Sequence, residues 1–443
     1  MRAGFYTLGC KLNQSETEAL ADAFRRAGHT AAGVDEPADV YILNTCTVTS
    51  KSEQKARRVL RKILTGRGES PVIVTGCYAQ LEKARLEEEF GPGVLVLGLD
   101  QKARLLDLPS FLSDGTALPG ARILDDFFAQ NGAAGGAFGF SAARCSFHTR
   151  AFLKIQDGCD NRCAYCRVCL ARGPSVSLEA EEALRRFRAL QAEGYREVVL
   201  TGVNLMSYAS GSTDFCGLLE KLAARAASAR IRISSLEPEG ITKSLARAAA
   251  HPRVCPHFHL PLQSGSDSVL RAMGRRYTRA MVTRAVDLLR AERGGAFIAA
   301  DIICGFPGET EEDHAQTETL VRELSLASLH VFPFSPRPGT AAWNMKNRVP
   351  ERTARRRAAS LRALAAEGRA RYAESLTGGS LEVIVEKRIP GGWEGLSENY
   401  MTVRGASAPG GGPSGVAVGA LLTVKISGAG DGFLLGEISE RGY

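Results

Sequence analysis

The chain has 443 residues, 44% of them hydrophobic and 23% charged, and its 56 Lys and Arg against 48 Asp and Glu give a formal net charge of +8. No run approaches the roughly 18 apolar residues of a membrane span, and no charged leader precedes an apolar segment at the N-terminus. We therefore expect a cytoplasmic protein with no membrane partner, long enough for two or three domains. Eleven cysteines, an odd number, favour metal binding or catalysis over a disulfide framework.

The first 130 residues alternate short β-rich runs with helical patterns. Helical stretches begin near Ser15, Ser50 and Ala79. The strands predicted before them are Gly4–Leu8, Val40–Leu43 and Val72–Val74. Because helices separate the strands, residues 1–130 are predicted to form an open α/β domain with a parallel sheet. Residues 131–143 are rich in Gly and Ala and lack periodicity, which predicts an interdomain linker.

Residues 144–376 resume the alternation and end in a basic helix from Glu351 to about Ser375. Helical patterns such as Glu179–Glu193 and Arg279–Arg290 lie between six predicted strands. These strands are Ala151–Gln156, Glu197–Thr201, Arg230–Ser234, His257–Leu262, Phe297–Ile303 and Ser328–Phe334. Six βα units predict a partial (βα)6 TIM-type barrel, whose active site lies at the C-terminal ends of the strands.

Residues 377–443 have a different character, with short alternating runs and many glycines. This pattern predicts a small antiparallel β-barrel of a size that often binds nucleic acid. The Gly-, Pro- and Ser-rich stretch Ala406–Gly415 is predicted to be a flexible hairpin loop.

Basic residues concentrate in two blocks. From Lys51 to Arg67 there are seven Lys or Arg against one acid, and from Lys346 to Arg371 there are nine against two. Such blocks indicate a polyanionic partner, although each block alone is also compatible with a solvated helix face.

The run D-G-C-D-N-R-C-A-Y-C-R-V-C, from Asp157 to Cys169, holds four cysteines. Cys159-x3-Cys163-x2-Cys166 is one possible set of thiolate ligands, and Cys163-x2-Cys166-x2-Cys169 is a second set with ferredoxin-like spacing. Both are iron–sulfur patterns. Zinc is the next candidate, but zinc sites usually split their ligands into two distant pairs, and the chain has no second C-x2-C or H-x3-5-H.

The first set, which we name the barrel triad (Cys159, Cys163 and Cys166), follows the first predicted barrel strand. Three thiolates bind three irons of a cubane and leave the fourth iron open to the amino and carboxylate groups of S-adenosylmethionine, from which a 5′-deoxyadenosyl radical can be made. If Cys169 were a ligand of the fourth iron, S-adenosylmethionine could not bind to that iron. Cys169 is therefore predicted to be a nearby free thiol, with an exchangeable ligand as the alternative.

A second set, which we name the N-terminal triad, consists of Cys10, Cys46 and Cys77. Each of these cysteines comes just after a predicted strand. In a parallel sheet those strand ends converge on one crevice, so three thiolates there predict a second metal site. The alternative is three independent buried cysteines, since cysteine is commonly buried.

Seven motifs distributed along the chain resemble those of the methylthiotransferase family of radical S-adenosylmethionine enzymes. The motifs are Y-T-L-G-C-K-L-N-Q-S-E (Tyr6–Glu16), N-T-C-T-V-T (Asn44–Thr49), T-G-C-Y-A-Q (Thr75–Gln80), K-I-Q-D-G-C (Lys154–Cys159), L-T-G-V-N-L (Leu200–Leu205), L-P-L-Q-S-G-S (Leu260–Ser266) and G-F-P-G-E-T (Gly305–Thr310). One departure is Cys169, which stands where relatives usually have a proline.

The resemblance implies an N-terminal domain with an auxiliary cluster, a radical S-adenosylmethionine barrel and a C-terminal TRAM domain that binds RNA. It implies two [4Fe–4S] clusters, one on each triad, together with S-adenosylmethionine and an electron donor such as flavodoxin or ferredoxin. Tyr165, Glu237, Gln263 and Ser264 lie near strand ends and are candidate cofactor contacts. No general acid or base is assigned.

Within the family, G-C-K-L-N-Q and N-T-C-T-V-T resemble the branch that acts on N6-threonylcarbamoyladenosine in the tRNA anticodon stem-loop. The isopentenyladenosine branch typically has G-C-Q-M-N, and a third branch modifies an aspartate of a ribosomal protein. A non-catalytic alternative is a two-cluster electron carrier or RNA-binding protein, in which Cys169 would join the barrel triad as the fourth ligand of its cluster.

Overall fold

The computed structural model describes residues 1–66, 68–113, 124, 127, 128, 136–406 and 416–441. These residues form an N-terminal sheet domain, a partial barrel and a C-terminal closed barrel, which confirms the predicted fold class. Residues 131–135 of the predicted linker and 407–415 of the predicted loop lie outside the described residues.

The N-terminal sheet is parallel and has the strand order β2-β1-β3-β4-β5. Its strands are β1 (Arg2–Thr7), β2 (Thr30–Gly33), β3 (Val40–Thr45), β4 (Val72–Gly76) and β5 (Val94–Val96). β1, β3 and β4 are the three predicted strands, whereas the prediction missed β2 and β5, which lie at the two edges of the sheet.

Helices cover both faces of this sheet. They are α1 (Lys11–Arg26), α2 (Ser50–Gly66), α3 (Cys77–Leu81), α4 (Lys83–Phe90), α5 (Leu99–Lys102) and α6 (Leu108–Ser113). One core contains Phe5, Leu20 and Phe24 from β1 and α1, and the other contains Leu43 and Leu60 from β3 and α2. Amphipathic helices thus bury their apolar faces on a sheet whose central strands are buried on both sides.

The described part of the predicted linker, residues 136–143, is packed against the rest of the chain. Phe140 is buried in the core that contains Phe5 and Phe24. The backbone N–H of Ala143 donates to the Asp22 carboxylate at 3.0 Å. The boundary of the linker stays a prediction.

The partial barrel consists of two parallel three-stranded sheets with the orders β12-β9-β6 and β13-β14-β15. Its strands are β6 (Ala151–Lys154), β9 (Glu197–Thr201), β12 (Arg230–Ile233), β13 (His257–Gln263), β14 (Phe297–Cys304) and β15 (Ser328–Pro333). A hydrogen bond from the Leu236 N–H to the His259 carbonyl, at 2.9 Å, joins the two sheets. The six predicted strands are all present, with ends that differ by no more than a residue or two.

Short strand pairs and helices complete this domain. The additional strands are β7 (Gln156–Asp157), β8 (Val176–Ser177), β10 (Ala209–Ser210) and β11 (Thr213–Asp214). The helices are α7 (Val168–Arg172), α8 (Ala180–Ala192), α9 (Phe215–Ala223), α10 (Lys243–Ala249), α11 (Asp267–Ala272), α12 (Arg279–Glu292), α13 (Glu311–Glu323) and α14 (Glu351–Ser375). Within the described ranges, no helix is long and apolar enough to cross a membrane.

The C-terminal strands close into a barrel in the order β16-β17-β18-β20-β19. They are β16 (Ser380–Ile389), β17 (Gly392–Ser397), β18 (Thr402–Ala406), β19 (Leu421–Ala429) and β20 (Leu434–Arg441). The pairing is antiparallel as predicted, except that β18 and β20 are parallel. Its core centres on Trp393, which is 1% exposed.

Candidate iron–sulfur sites and substrate cavity

The N-terminal triad is assembled at the carboxyl ends of β1, β3 and β4, as predicted. Cys10 is exposed, whereas Cys46 and Cys77 are buried. Burial, with smaller contributions from Cys10 and Cys77, raises the pKa of Cys46 to about 12. The three cysteines follow three adjacent parallel strands, which is the placement that ligands of one metal centre require.

Glycines shape the pocket around this triad. A Cβ on Gly9, where φ is +113°, would stand 2.9 Å from the Cys46 sulfur. A Cβ on Gly76, where φ is +97°, would stand 2.4 Å from the Thr45 carbonyl oxygen. Both residues precede a triad cysteine, and only glycine accepts these conformations and approaches. The triad thus fits a metal cluster held between tightly turned loops.

The barrel triad lies on the loop between β7 and α7. Backbone N–H groups of Asn161 and Val168 point at the sulfurs of Cys159 and Cys166, at 3.5 and 3.4 Å. Burial, with a smaller contribution from Cys163, raises the pKa of Cys166 to about 12. Amide donors of this kind stabilise thiolates that bind iron, so this donor set also fits a cluster.

Arg275 connects the barrel triad to two of the predicted cofactor contacts. Its guanidinium donates to the Cys163 sulfur at 3.2 Å and forms an ion pair with Glu237. Burial raises the pKa of Glu237 to about 7, against the opposing effect of Arg275. Burial also raises the pKa of Tyr165, whose hydroxyl lies near Arg275 and Cys163. The sequence analysis did not identify Arg275, because no motif marks it.

Gln263 and Ser264 lie at the end of β13. Gln263 is buried with φ at +63°, a conformation that is strained for a residue other than glycine. The Ser264 hydroxyl accepts from the Ser266 N–H at 3.2 Å and lies 3.3 Å from the Thr317 hydroxyl. Ser264 thus stabilises the turn itself, and the role of both residues in cofactor binding stays a prediction.

Cys169 lies on α7, one turn beyond the barrel triad. Its sulfur is 3.9 Å from the Cys166 carbonyl oxygen, which is a weak contact. Its proximity to Cys166 is also evident from its effect on the pKa of that thiol. Its assignment as a free thiol stays a prediction.

Residues next to the two triads contact one another across the interface between the first two domains. Arg167, which follows Cys166, donates to the hydroxyl of Thr47, which follows Cys46, at 3.2 Å. Arg172 donates to the side chain of Asn13 at 2.8 Å and belongs to a buried network of ion pairs across the interface. Such networks fix orientation, because breaking one member leaves a buried charge unpaired.

A cavity of about 1690 Å³ opens beside the N-terminal triad. Cys10 and Cys46 line one wall, and Tyr400 of the C-terminal barrel lines another. The remaining wall is the lumen of the partial barrel. This volume exceeds that of a typical small-molecule pocket, so the cavity has room for a nucleotide of a larger substrate.

Successive side chains of a strand point to opposite faces of the sheet, and in this barrel the inward-facing side chains are polar. His259, Asp301 and His330 line the cavity, while the residues next to them along the strands pack outward into the core. The Asp301 carboxylate contacts the imidazoles of His259 and His330 at 2.9 and 3.0 Å. Although burial acts in the opposite direction, these hydrogen bonds lower the pKa of Asp301. The lumen therefore carries a negative charge that the two imidazoles hold in place.

The floor of the cavity joins all three domains. The Tyr400 ring, in the turn between β17 and β18, stacks on His257 of β13 with centroids 4.4 Å apart. The Lys11 ammonium, at the start of α1, lies 5.4 Å from the centre of the same ring. Tyr400 has φ at +67°, so the turn is held in a strained conformation by its surroundings.

Several cations line the cavity. Four of them recur every seven residues in and before α14 and are named here the arginine stripe: Arg348, Arg355, Arg362 and Arg369. A spacing of seven residues is close to two helical turns, so Arg355, Arg362 and Arg369 share one helix face. The basic block predicted from the sequence thus presents one row of guanidinium groups to the cavity.

Comparisons with known proteins agree with this architecture. Residues 2–98 match the model of Uncharacterized protein family UPF0004, and residues 153–321 match the Radical SAM superfamily. The threonylcarbamoyladenosine tRNA methylthiotransferase MtaB of Treponema pallidum is 42% identical over 90% of this chain and 93% of that protein. The MtaB of Bacillus subtilis is 34% identical, over 90% of this chain and 89% of that protein.

The relatives include a second branch. A tRNA-2-methylthio-N(6)-dimethylallyladenosine synthase of Sorangium cellulosum is 36% identical over 99% of this chain and 90% of that protein. Among solved structures, the radical S-adenosylmethionine methyltransferase TsrM of Kitasatospora setae has a TM-score of 0.53 at 15% identity, over 77% of this chain and 73% of that one, and shares the fold. Members of the radical SAM superfamily use S-adenosylmethionine and a [4Fe–4S] cluster. The chain belongs to the tRNA methylthiotransferase family of radical S-adenosylmethionine enzymes.

Proposed function

We propose that this enzyme converts N6-threonylcarbamoyladenosine in the tRNA anticodon stem-loop to its 2-methylthio derivative. The observation that carries the proposal is the cavity, whose walls include both the N-terminal triad and a row of cations. A flipped nucleotide reaches the triad through such a cavity while its flanking phosphates stay at the rim. The curated relatives named MtaB act on threonylcarbamoyladenosine, and they include the Treponema pallidum protein at 42% identity.

The barrel triad would hold the [4Fe–4S] cluster that works with S-adenosylmethionine, and the N-terminal triad would hold a second one. Support for the second cluster comes from the position of Cys10, Cys46 and Cys77 after three adjacent strands and from the glycine-shaped pocket around them. When bound, these cofactors supply the radical and the methylthio group. The protein's own part is to orient the cofactors, admit one base and exclude water.

The arginine stripe would bind the RNA backbone. Guanidinium groups bind phosphates bidentately, and several in a row follow a strand. Arg362 and Arg369 make no ion pair with a carboxylate in the described parts of the chain, so their charges remain available. Lys51 of α2 lies on the cavity wall as well and adds a charge from the first basic block.

Two further parts of the proposal concern the setting of the reaction. A tRNA substrate places the enzyme in the cytoplasm. Reductive cleavage of S-adenosylmethionine requires an electron donor, for which a flavodoxin or ferredoxin is the proposed partner.

The test is nucleoside mass spectrometry of tRNA from cells with and without this gene. We expect loss of 2-methylthio-N6-threonylcarbamoyladenosine and accumulation of its unmethylthiolated precursor, with methylthio-isopentenyladenosine unchanged. Loss of the isopentenyl derivative instead would assign the enzyme to the branch of the Sorangium cellulosum relative. If both modifications persist and a ribosomal aspartate loses its methylthio group, the RNA argument is wrong.

A further inference from the structure

We propose that Lys11, together with His257 and Ser234, forms the recognition site for the α-carboxylate end of the threonylcarbamoyl group. This inference rests on the proposed function and adds the residues that distinguish the substrate. The group consists of threonine joined through a carbonyl to N6 of adenine, so it ends in a negative charge. An isopentenyl group at the same position is apolar.

Lys11 lies in the part of the cavity where the threonyl carboxylate of the substrate is expected to bind. It follows Cys10 directly and begins α1, so its side chain and the N-terminal triad line the same cavity. A base that presents its C2 atom to this triad carries its N6 substituent into the same space. Because C2 and C6 both flank N1, the substituent on N6 leaves the ring at the edge next to C2 and lies in the same cavity as the triad and Lys11.

The ammonium of Lys11 has no anionic partner of its own. In the described parts of the chain its close contact is the face of Tyr400, and no carboxylate forms an ion pair with it. Glu197, whose charge acts on Lys11, is already bound by Arg230 and Arg232. A partly buried cation without a counter-charge is unfavourable, and a bound carboxylate would correct this.

Two buried polar atoms without hydrogen-bond partners indicate that a ligand binds in this cavity. The Nδ1 atom of His257 and the hydroxyl of Ser234 are buried, belong to residues that line the cavity, and have no hydrogen-bond partner among the described residues. Buried polar atoms are nearly always hydrogen-bonded, so each unpaired one indicates a missing partner. The hydroxyl and carboxylate of the threonyl group offer donors and acceptors of the required kind.

The opposite wall sets the orientation of the substituent. Asp301 holds a negative charge in the lumen between His259 and His330. A second carboxylate next to Asp301 would be repelled, whereas next to Lys11 it would be attracted. Charge therefore directs the carboxylate of the substrate toward Lys11.

The test compares two stem-loop RNAs that differ in one group, the free threonyl carboxylate and its neutral carboxamide. Dissociation constants are measured by fluorescence anisotropy with the anaerobically reconstituted protein. We expect the wild type to bind the carboxylate RNA at least about tenfold more tightly, which is roughly 1.4 kcal/mol. We expect Lys11→Gln to bind both RNAs equally and Lys11→Arg to retain part of the preference. Phosphate contacts are the same in both RNAs, so the ratio isolates the carboxylate.

Lys62→Gln is the matched control, because Lys62 is exposed and pairs with Asp35 away from the cavity. It should keep the wild-type ratio. Equal affinity of the wild type for both RNAs, which requires no variant, would overturn the assignment. An unchanged ratio in Lys11→Gln that keeps the iron content of the wild type would also overturn it. Mass spectrometry of the carboxylate RNA after turnover distinguishes failure of the Lys11 assignment from failure of the proposed function. Product formation together with equal affinities would refute the role of Lys11 alone. The absence of product would refute the proposed function as well.

Discussion

Replacing Arg232 with methionine tests how firmly the C-terminal barrel is fixed to the catalytic domain. The Arg232 side chain is fully buried and donates to Glu197 at 2.8 Å. It also donates to the backbone carbonyls of Ser397 and Glu398, at 3.1 and 2.9 Å. These two carbonyls lie in the segment just before Tyr400, so one guanidinium ties the cavity floor to β12.

The cost of Arg232→Met follows from these contacts. Each buried carbonyl that loses its donor costs about 1–3 kcal/mol, and breaking a buried ion pair costs about 3–5 kcal/mol. Because Glu197 keeps Arg230 at 2.8 Å, we expect the lower part of that range. With the lower limit taken for the ion pair and for each of the two carbonyls, the free energy of unfolding of the C-terminal barrel should fall by about 5 kcal/mol.

The assay is urea denaturation followed by the fluorescence of Trp393, which is buried in the C-terminal barrel. The chain has two tryptophans, so a Trp343→Phe background makes Trp393 the sole reporter. Arg404→Met is the control, because Arg404 pairs with Glu394 at the surface of the same barrel, and such a pair is worth about 1 kcal/mol or less. If Arg232→Met costs no more than this control, the barrel is not fixed through Arg232 and the reasoning is wrong.

Four further predictions concern the cofactor sites and the RNA. Arg275→Met removes a cationic donor from the barrel triad, so an EPR redox titration should show a more negative cluster potential; an unchanged potential would contradict this. Cys169→Ala should keep its iron content and S-adenosylmethionine cleavage, whereas loss of cleavage in the folded protein would favour the ferredoxin-like ligand set. Alanine at all three positions of the barrel triad should halve the iron bound after reconstitution; complete loss would refute two independent sites. Replacing all four arginines of the arginine stripe with glutamine should weaken tRNA binding. The slope of the logarithm of the binding constant against the logarithm of the salt concentration should also fall by about one unit for each phosphate that is no longer bound. Arg352→Gln on the same helix should change neither the affinity nor this slope.

Much of the fold follows from local sequence. The barrel strands were predicted to within a residue or two because β-branched runs alternate regularly with helical patterns. β2 and β5 were missed for a physical reason: Thr30–Gly33 has no bulky apolar residue, and Val94–Val96 is three residues long. The parallel pair β18–β20 could not be predicted, because pairing across the barrel is a long-range contact that leaves no local pattern.

The residues of the candidate site also divide into those that local sequence predicts and those that it does not. The six cysteines could be predicted as metal ligands because such ligands require fixed residue types at strand ends and fixed spacings, and their assignment stays a prediction. Arg275 could not, because its contact with Cys163 spans a long stretch of chain and involves no motif. The same holds for Tyr400 beneath Lys11, since these residues come from opposite ends of the sequence and meet only in the folded chain.

The position of Tyr400 changes how the C-terminal barrel contributes to function. From the sequence, residues 377–443 are predicted to bind RNA, and the active site is predicted at the strand ends of the preceding barrel. In the structure the Tyr400 ring covers His257 and lies beside Lys11, so the C-terminal barrel supplies the cavity floor. A loss of the floor would admit water to the same wall that is proposed to bind the threonyl carboxylate, and water competes with every polar contact there. One turn therefore joins the C-terminal barrel to the wall that is proposed to bind the modified base, and two carbonyl contacts from Arg232 hold this turn in place.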